Sequence, residues 1–331
     1  MGEAFIDAYA HVGVPRFGTA EEVVGVFDRN GIEKGILVLG PGIPDLAALQ
    51  RAREVAGERI RCMGIPFGAT EEQRNALADV QLRIGISGMR FMPDEIRANA
   101  AALQKLGERG LWLFAINPHR DGKVTRILLD WLDRFPDGRI ASPHFLTPQP
   151  VGRAAEDPRL LRDLLSHERF HAIFSRHGGV GSVEPYPHRD LLPWVEEVVE
   201  IVTWDRIMWG SEYPVLFWRN ESVQEAQHWI DGIGICPDDG ARARFLHANA
   251  QRLFFEDGAP PAEPVRIPAW VGEQFNRTGT VPLMPRTTLH VPMTTYRKLL
   301  SGYLQAQERE PPLRFCDYLV NRLSEATHRG D

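Results

Sequence analysis

The sequence predicts a parallel (β/α)8 barrel, a TIM barrel, with a C-terminal helical extension. Short apolar runs alternate with helical stretches from Phe5 onward, and eight such pairs occur before Phe255. Eight strand–helix pairs in about 250 residues is the count for a closed parallel barrel. No Gly-x-Gly-x-x-Gly follows any of the strands. That argues against the competing architecture, an open doubly wound sheet with a dinucleotide site.

The first strand is expected at residues 5–11. Strict alternation puts Ile6, Ala8 and Ala10 on one side and Asp7, Tyr9 and His11 on the other. Three polar side chains on a buried strand must satisfy one another or line a pocket, because each unpartnered group costs about 1–3 kcal/mol. Thr19 followed by Glu22 is a capping-box pattern that opens a helix. Residues 35–40 form the second strand and 45–58 a helix. Further strands are expected at 60–65, 88–92, 111–116, 139–144, 170–174 and 206–210. Helices are expected at 124–134, 160–166, 190–202 and 223–230 among others.

The barrel is expected to occupy residues 1–258. Pro260, Pro261, Pro264 and Pro268 then mark a linker. Residues 259–331 read as an extension with helices at 294–307 and 313–327, too small for a core of its own. Trp270, Phe275, Tyr296, Tyr303 and Phe315 need burial. The extension is therefore expected to pack on the barrel, covering its mouth, or on a second subunit in a homodimer.

The 331 residues carry a net charge of −6, with 43% hydrophobic and 25% charged side chains. This is the composition of a globular protein without a nucleic-acid partner. No run of about 20 apolar residues is present, so no membrane partner is expected. Cys62, Cys236 and Cys316 are far apart and odd in number, which suits a reducing cytoplasm. Met1-Gly2-Glu3 leads straight into a strand, so no secretory leader is expected.

In a parallel barrel the C-terminal strand ends carry the active site. Here they offer Tyr9 and His11, then Arg90, Asn117, His144, Arg176 and His177, and finally Ser211, Glu212 and Tyr213. Trp218 lies in the loop after strand eight. This concentration of ionisable groups points to a small-molecule substrate.

Several of these stretches resemble the amidohydrolase superfamily, in its amidohydrolase-2 branch. Ile6-Asp7-Ala8-Tyr9-Ala10-His11 resembles that branch's Asp-x-His-x-His. Trp209-Gly210-Ser211-Glu212-Tyr213-Pro214 resembles its Gly-Ser-Asp-x-Pro, and His247-Ala248-Asn249-Ala250-Gln251-Arg252-Leu253-Phe254 its closing helix. Gly88-Met89-Arg90-Phe91 and His144-Phe145-Leu146 fall where the branch has an arginine and a histidine. Two departures stand out: Tyr9 replaces the first histidine and Glu212 the aspartate.

The resemblance implies a hydrolase acting on a small carboxylate-bearing substrate, a cyclic ester or amide. Glu212, its pKa raised by burial, would activate water. His11, His144 and His177, with Tyr9, would stabilise the oxyanion. Arg90 and Arg176, with Asn117 and Trp218, would hold the substrate. A non-oxidative decarboxylase and a repurposed, non-catalytic barrel are the alternatives. Tyr is a poor zinc ligand near neutral pH, which favours a reaction without a cofactor. The alternative is one divalent metal such as zinc, held by His11, His144 and Glu212.

Overall fold

The computed structural model describes residues 4–146, 156–275, 279–283, 289–307 and 314–329. Eight parallel strands stand side by side in chain order: β1 Phe5–Val12, β2 Ile32–Leu39, β3 Ile60–Gly64, β4 Gly88–Phe91, β5 Trp112–Ala115, β6 Arg139–Ser142, β7 Phe170–Phe174 and β8 Ile207–Trp209. The ring is drawn together between its first and last strands. His11 N donates to Tyr213 O and Glu212 N to Tyr9 O, both at 2.7 Å. This is the (β/α)8 barrel expected from the alternation, and the open sheet is set aside. Part of the loop after β6 falls outside the described residues.

Local chemistry sets the helix starts. Thr19 and Glu22 form a reciprocal capping box on helix Ala20–Arg29, and Asp45 caps helix Leu46–Ala56 through Ala48 N. The helix expected at 223–230 is instead two, Val223–Gln227 and Trp229–Ile233. The break at His228 turns Trp229 into the core, where its indole donates to Pro187 O at 2.9 Å. The closing helix begins as Asp239–Ala243 and contains two π-helical stretches, Arg244–Ala248 and Gln251–Phe255.

The simple alternation in β1 does not hold. Its register against β2 shifts between Asp7 and Ala10. Ile6, Ala8 and Tyr9 all join the barrel interior, while Ala10 packs in the outer layer. The bulge puts two consecutive side chains inward. The Tyr9 amide finds the Asp7 carboxylate at 3.0 Å.

The interior is filled from below. Phe254, from the closing helix, stacks on Trp112 with centroids 4.2 Å apart. Above it Phe114 lies parallel to Tyr9 at 6.0 Å. Aromatic layers therefore plug the barrel and leave Tyr9 as the floor of its C-terminal end.

Past the barrel, Arg53 donates to Pro260 O and Glu263 N to Arg83 O, which ties the proline-rich stretch to the barrel's helices. A helix, Ala269–Gln274, and an antiparallel pair, β9 Thr280–Leu283 with β10 Leu289–Pro292, precede helices Met293–Gln307 and Phe315–Arg329. The pair was not anticipated: Pro282 and Pro292 mask the strand signal, being tolerated only at such edges. Tyr303 and Phe315 pack against Phe217. Arg297 pairs with Glu22 at 2.5 Å, and Ser301 donates to the same carboxylate. Among the described residues no helix is long and apolar enough to cross a membrane.

Candidate active site

Four residues following β5, β6, β7 and β8 have left-handed backbones: Asn117 at φ 48°, His144 at 62°, Arg176 at 61° and Glu212 at 55°. Non-glycine residues adopt this region at a cost of about 1–3 kcal/mol, and such strain collects at functional sites.

Asp7 is scaffold. It accepts from Tyr9 N, Ser211 N and the Ser211 hydroxyl, locking β1 to the loop after β8. Burial lifts its pKa to about 6 despite those hydrogen bonds.

Tyr9 and His11 lie together at the C-terminal end of the barrel. The Tyr9 hydroxyl accepts from Arg90 Nε at 3.0 Å, so its own proton is available to a ligand. Burial raises its pKa, so the phenol stays protonated. The ring contacts both His11 and His144 edge-to-face, at 5.1 and 5.0 Å. His11 Nδ1 donates to Val38 O at 3.0 Å, and the ring stacks on Phe17 at 4.4 Å. Burial lowers its pKa to about 3. The ring is neutral and its Nε2 is an acceptor, so the oxyanion-donor role expected of His11 is not available to it.

His144 uses Ser175 on both sides: its amide and its Nδ1 each meet the hydroxyl, at 3.1 and 3.0 Å. Its Nε2 faces Glu212 Oε1 at 3.6 Å. Burial, then the Arg176 charge, pushes its pKa well below the usual value.

Glu212 is fully buried, and Arg176 grips both of its oxygens, with Nε at 2.8 and 2.9 Å. Arg219 stands 3.6 Å from the second oxygen. Burial pushes the carboxyl up, but the Arg176 charge, helped by His144 and Arg219, holds it well below the ordinary range. The raised pKa expected of Glu212 is therefore wrong in sign: burial was legible, the guanidinium partner was not.

Arg90 is buried and its Nη1 has no hydrogen-bond partner, while Nη2 meets only Met92 Sδ. Arg16 lies over the rings of Phe17 and Trp218, and its buried Nε is also unpartnered. Burial, then repulsion from Arg176 and Arg90, lowers the pKa of Arg16. Two guanidiniums, Arg176 and Arg219, thus hold Glu212, tempered by Glu221, and two more, Arg90 and Arg16, stand in the same charged group with donors unspent. The arrangement suits an anionic ligand.

Three expected residues sit differently. His177 is buried against Trp229 and Phe145, with its Nε2 unpartnered and no hydrogen bond to Glu212. The Asn117 side-chain oxygen, Oδ1, is buried and unpartnered and makes no hydrogen bond to the Tyr9–Glu212 group. Trp218 is only 4% exposed and supports Arg16 from behind. Sequence reasoning missed Arg16, Arg219 and Ser175. All three follow strands at the barrel's C-terminal end, the one signal that would have found them.

The donors do not fit a divalent ion. Among the described residues no three His, Cys, Asp or Glu side chains converge as ligands. The Glu212 oxygens belong to Arg176, and a cation between His11 and His144 would meet the positive charges of Arg90 and Arg176.

The comparisons place this geometry. No curated protein sequence matches the chain. Among solved structures, a probable 2-pyrone-4,6-dicarboxylic acid hydrolase from Acinetobacter baumannii with citric acid bound aligns at 18% identity. It covers 76% of this chain and 98% of its own, with a TM-score of 0.59. A Pseudomonas putida chain of the same proposed activity aligns at 20% identity, covering 77% and 98%, with a TM-score of 0.59. A 2,6-dihydroxybenzoate decarboxylase from Rhizobium aligns at 15%, covering 78% and 100%, with a TM-score of 0.53. At these identities the likeness is one of fold. The model of an amidohydrolase family, Amidohydro_2, matches residues 30–255, well over half of the sequence and everything from the end of the first helix to the closing helix, so the chain belongs to the amidohydrolase family.

Proposed function

We propose that the protein hydrolyses a small cyclic ester bearing at least one carboxylate, with water as nucleophile and Glu212 as general base. One observation carries the reading: a buried, ionised carboxylate held by Arg176 and Arg219, with unused buried donors on two further guanidiniums, Arg90 and Arg16. Arg90 Nη1 and Arg16 Nε offer themselves to a substrate carboxylate. A 2-pyrone dicarboxylate, named for the two hydrolase neighbours, has the right chemistry.

Free Glu212 is a weak base while Arg176 holds it. The Arg176 side chain is 31% exposed and within reach of an incoming anion. When a substrate carboxylate draws the guanidinium away, the largest charge opposing burial is removed and the basicity of Glu212 rises. Water then attacks the ester carbonyl and gives its proton to Glu212. The oxyanion takes hydrogen bonds from the Tyr9 hydroxyl and from Nε2–H of His144. The ring C–O bond breaks, and the proton passes from Glu212 to the departing oxygen.

Decarboxylation is the second reading, favoured by the same cations. It needs an acid to protonate carbon, and the two imidazoles beside Tyr9, His11 and His144, are held unprotonated near neutrality. Hydrolysis is better supported.

The test is Glu212→Gln, assayed by pH-stat with 2-pyrone-4,6-dicarboxylate and a panel of carboxylated lactones. Loss of a general base lowers kcat by about 10²–10⁴. A variant within about threefold of wild type overturns the role.

A further inference from the structure

We propose that the C-terminal helix Met293–Gln307 forms part of the active-site mouth, its Tyr296 positioning Trp218 and Arg16 and so setting which anions the site accepts. The inference rests on the reading that the arginine-lined mouth binds carboxylates.

A continuous stack links helix to pocket. His11 stacks on Phe17 at 4.4 Å, and Phe17 lies parallel to Trp218 at 6.2 Å, 5° between planes. The Trp218 indole meets the Tyr296 ring edge-on, and its Nε1 donates to the Tyr296 hydroxyl at 2.5 Å. Arg16 rests on the same two rings, 5.6 Å from the Phe17 centroid and 5.3 Å from that of Trp218. With its Nε unpartnered, Arg16 depends on this platform for its position.

The helix is anchored for the purpose. Arg297 and Ser301 both hold Glu22, and Arg297 also reaches Phe17 O at 3.5 Å. Phe17 is thus fixed from the extension as well as from the barrel. The matched family ends at residue 255, and the Acinetobacter neighbour is spanned almost entirely by 76% of this chain. Tyr296 therefore lies on a segment beyond the matched family, while Trp218 and Arg16 belong to the barrel it packs on. It distinguishes this pocket from a barrel that lacks the segment.

The experiment is calorimetric titration of citrate, a tricarboxylate probe, into the full-length protein. Wild type is compared with Tyr296→Phe, Arg16→Gln, the double variant and Arg90→Gln. Tyr296→Phe removes one hydroxyl and should weaken citrate about fivefold or more while the protein stays folded. Arg16→Gln should weaken it similarly. The double variant should be no weaker than the worse single one, because the tyrosine acts through the arginine. Should Tyr296→Phe fail to fold, Trp218→Phe removes the same hydrogen bond from the other side. Unchanged affinity in Tyr296→Phe, or full additivity with Arg16→Gln, overturns the inference; if Arg90→Gln still loses citrate, the site reading stands. Failure of wild type itself to bind citrate overturns both.

Discussion

Asp7 and Glu212 are both carboxylates without solvent exposure, on the first strand and just after the last where the ring closes, and their pKa values move in opposite directions. Glu212 has a guanidinium to offset its burial; Asp7 has only hydrogen-bond donors. The native state binds a proton at Asp7 between about pH 4 and 6 that the unfolded chain does not. Asp7 therefore contributes stability as pH falls through 6 and loses it as pH rises, up to about 3 kcal/mol for a shift of this size. Buried neutral histidines act the other way. His11, His171 and His177, each with a pKa near 3, must shed protons to fold, so stability drains as pH falls below about 6.5. Wild type should lose thermal midpoint on acidification. Asp7→Asn should lose it more steeply between pH 7 and 4.5, because the opposing contribution is gone. Parallel scanning-calorimetry profiles would refute the Asp7 assignment. The residues of this group were legible one by one: Tyr9, His11 and Arg90 lie on strands near their C-terminal ends, and His144, Arg176 and Glu212 follow them. Their pairing was not, because Arg176 and Glu212 are 36 residues apart and meet only once β7 and β8 lie side by side.

Among the elements, β1 carries the most information. Its bulge turns Tyr9 inward beside Ala8, and the Asp7 carboxylate takes up the Tyr9 amide. No alternation rule anticipates this, since a bulge breaks the period on which the rule rests. The next loop depends on a close approach. A Cβ on Gly40 would lie 2.1 Å from Phe17 Cε2, and Phe17 is buried between His11 and Trp218. Gly40→Ala should cost about 1–3 kcal/mol by overpacking. It should also displace the His11 ring, so citrate binding should weaken together with the midpoint in urea. A variant of wild-type stability would show that Phe17 can move. Glycine at the end of β2 looks like simple strand punctuation in sequence; its reason is a ring from another segment.

On the scale of the whole molecule, the extension closes over apolar surface that the barrel leaves uncovered. Tyr296, Tyr303 and Phe315 bury themselves against Phe217 and Trp218. The expected aromatic burial is thus met within one chain, while Trp270 and Phe275 stay half-buried. Ending the chain at Glu263 would expose Phe217 and Trp218 and leave Glu22 without Arg297. The truncated protein should elute as aggregates in size-exclusion chromatography, at a lower thermal midpoint than the full chain. A monodisperse, fully active truncation would count against a role for the extension at the mouth.

The sequence by itself determined the eight strands, their order, the helix caps and the end of the barrel that carries chemistry. Periodicity, capping and turn residues are local, and a parallel barrel places consecutive strands side by side without further instruction. Tertiary structure decided the charge states and the partners. Whether Glu212 is raised or lowered depends on Arg176, whether His11 donates or accepts depends on Val38 O, and whether Arg16 reaches the pocket depends on Tyr296, 280 residues away along the chain. Burial and electrostatics act through space, and distance in space is what one-dimensional order leaves unspecified.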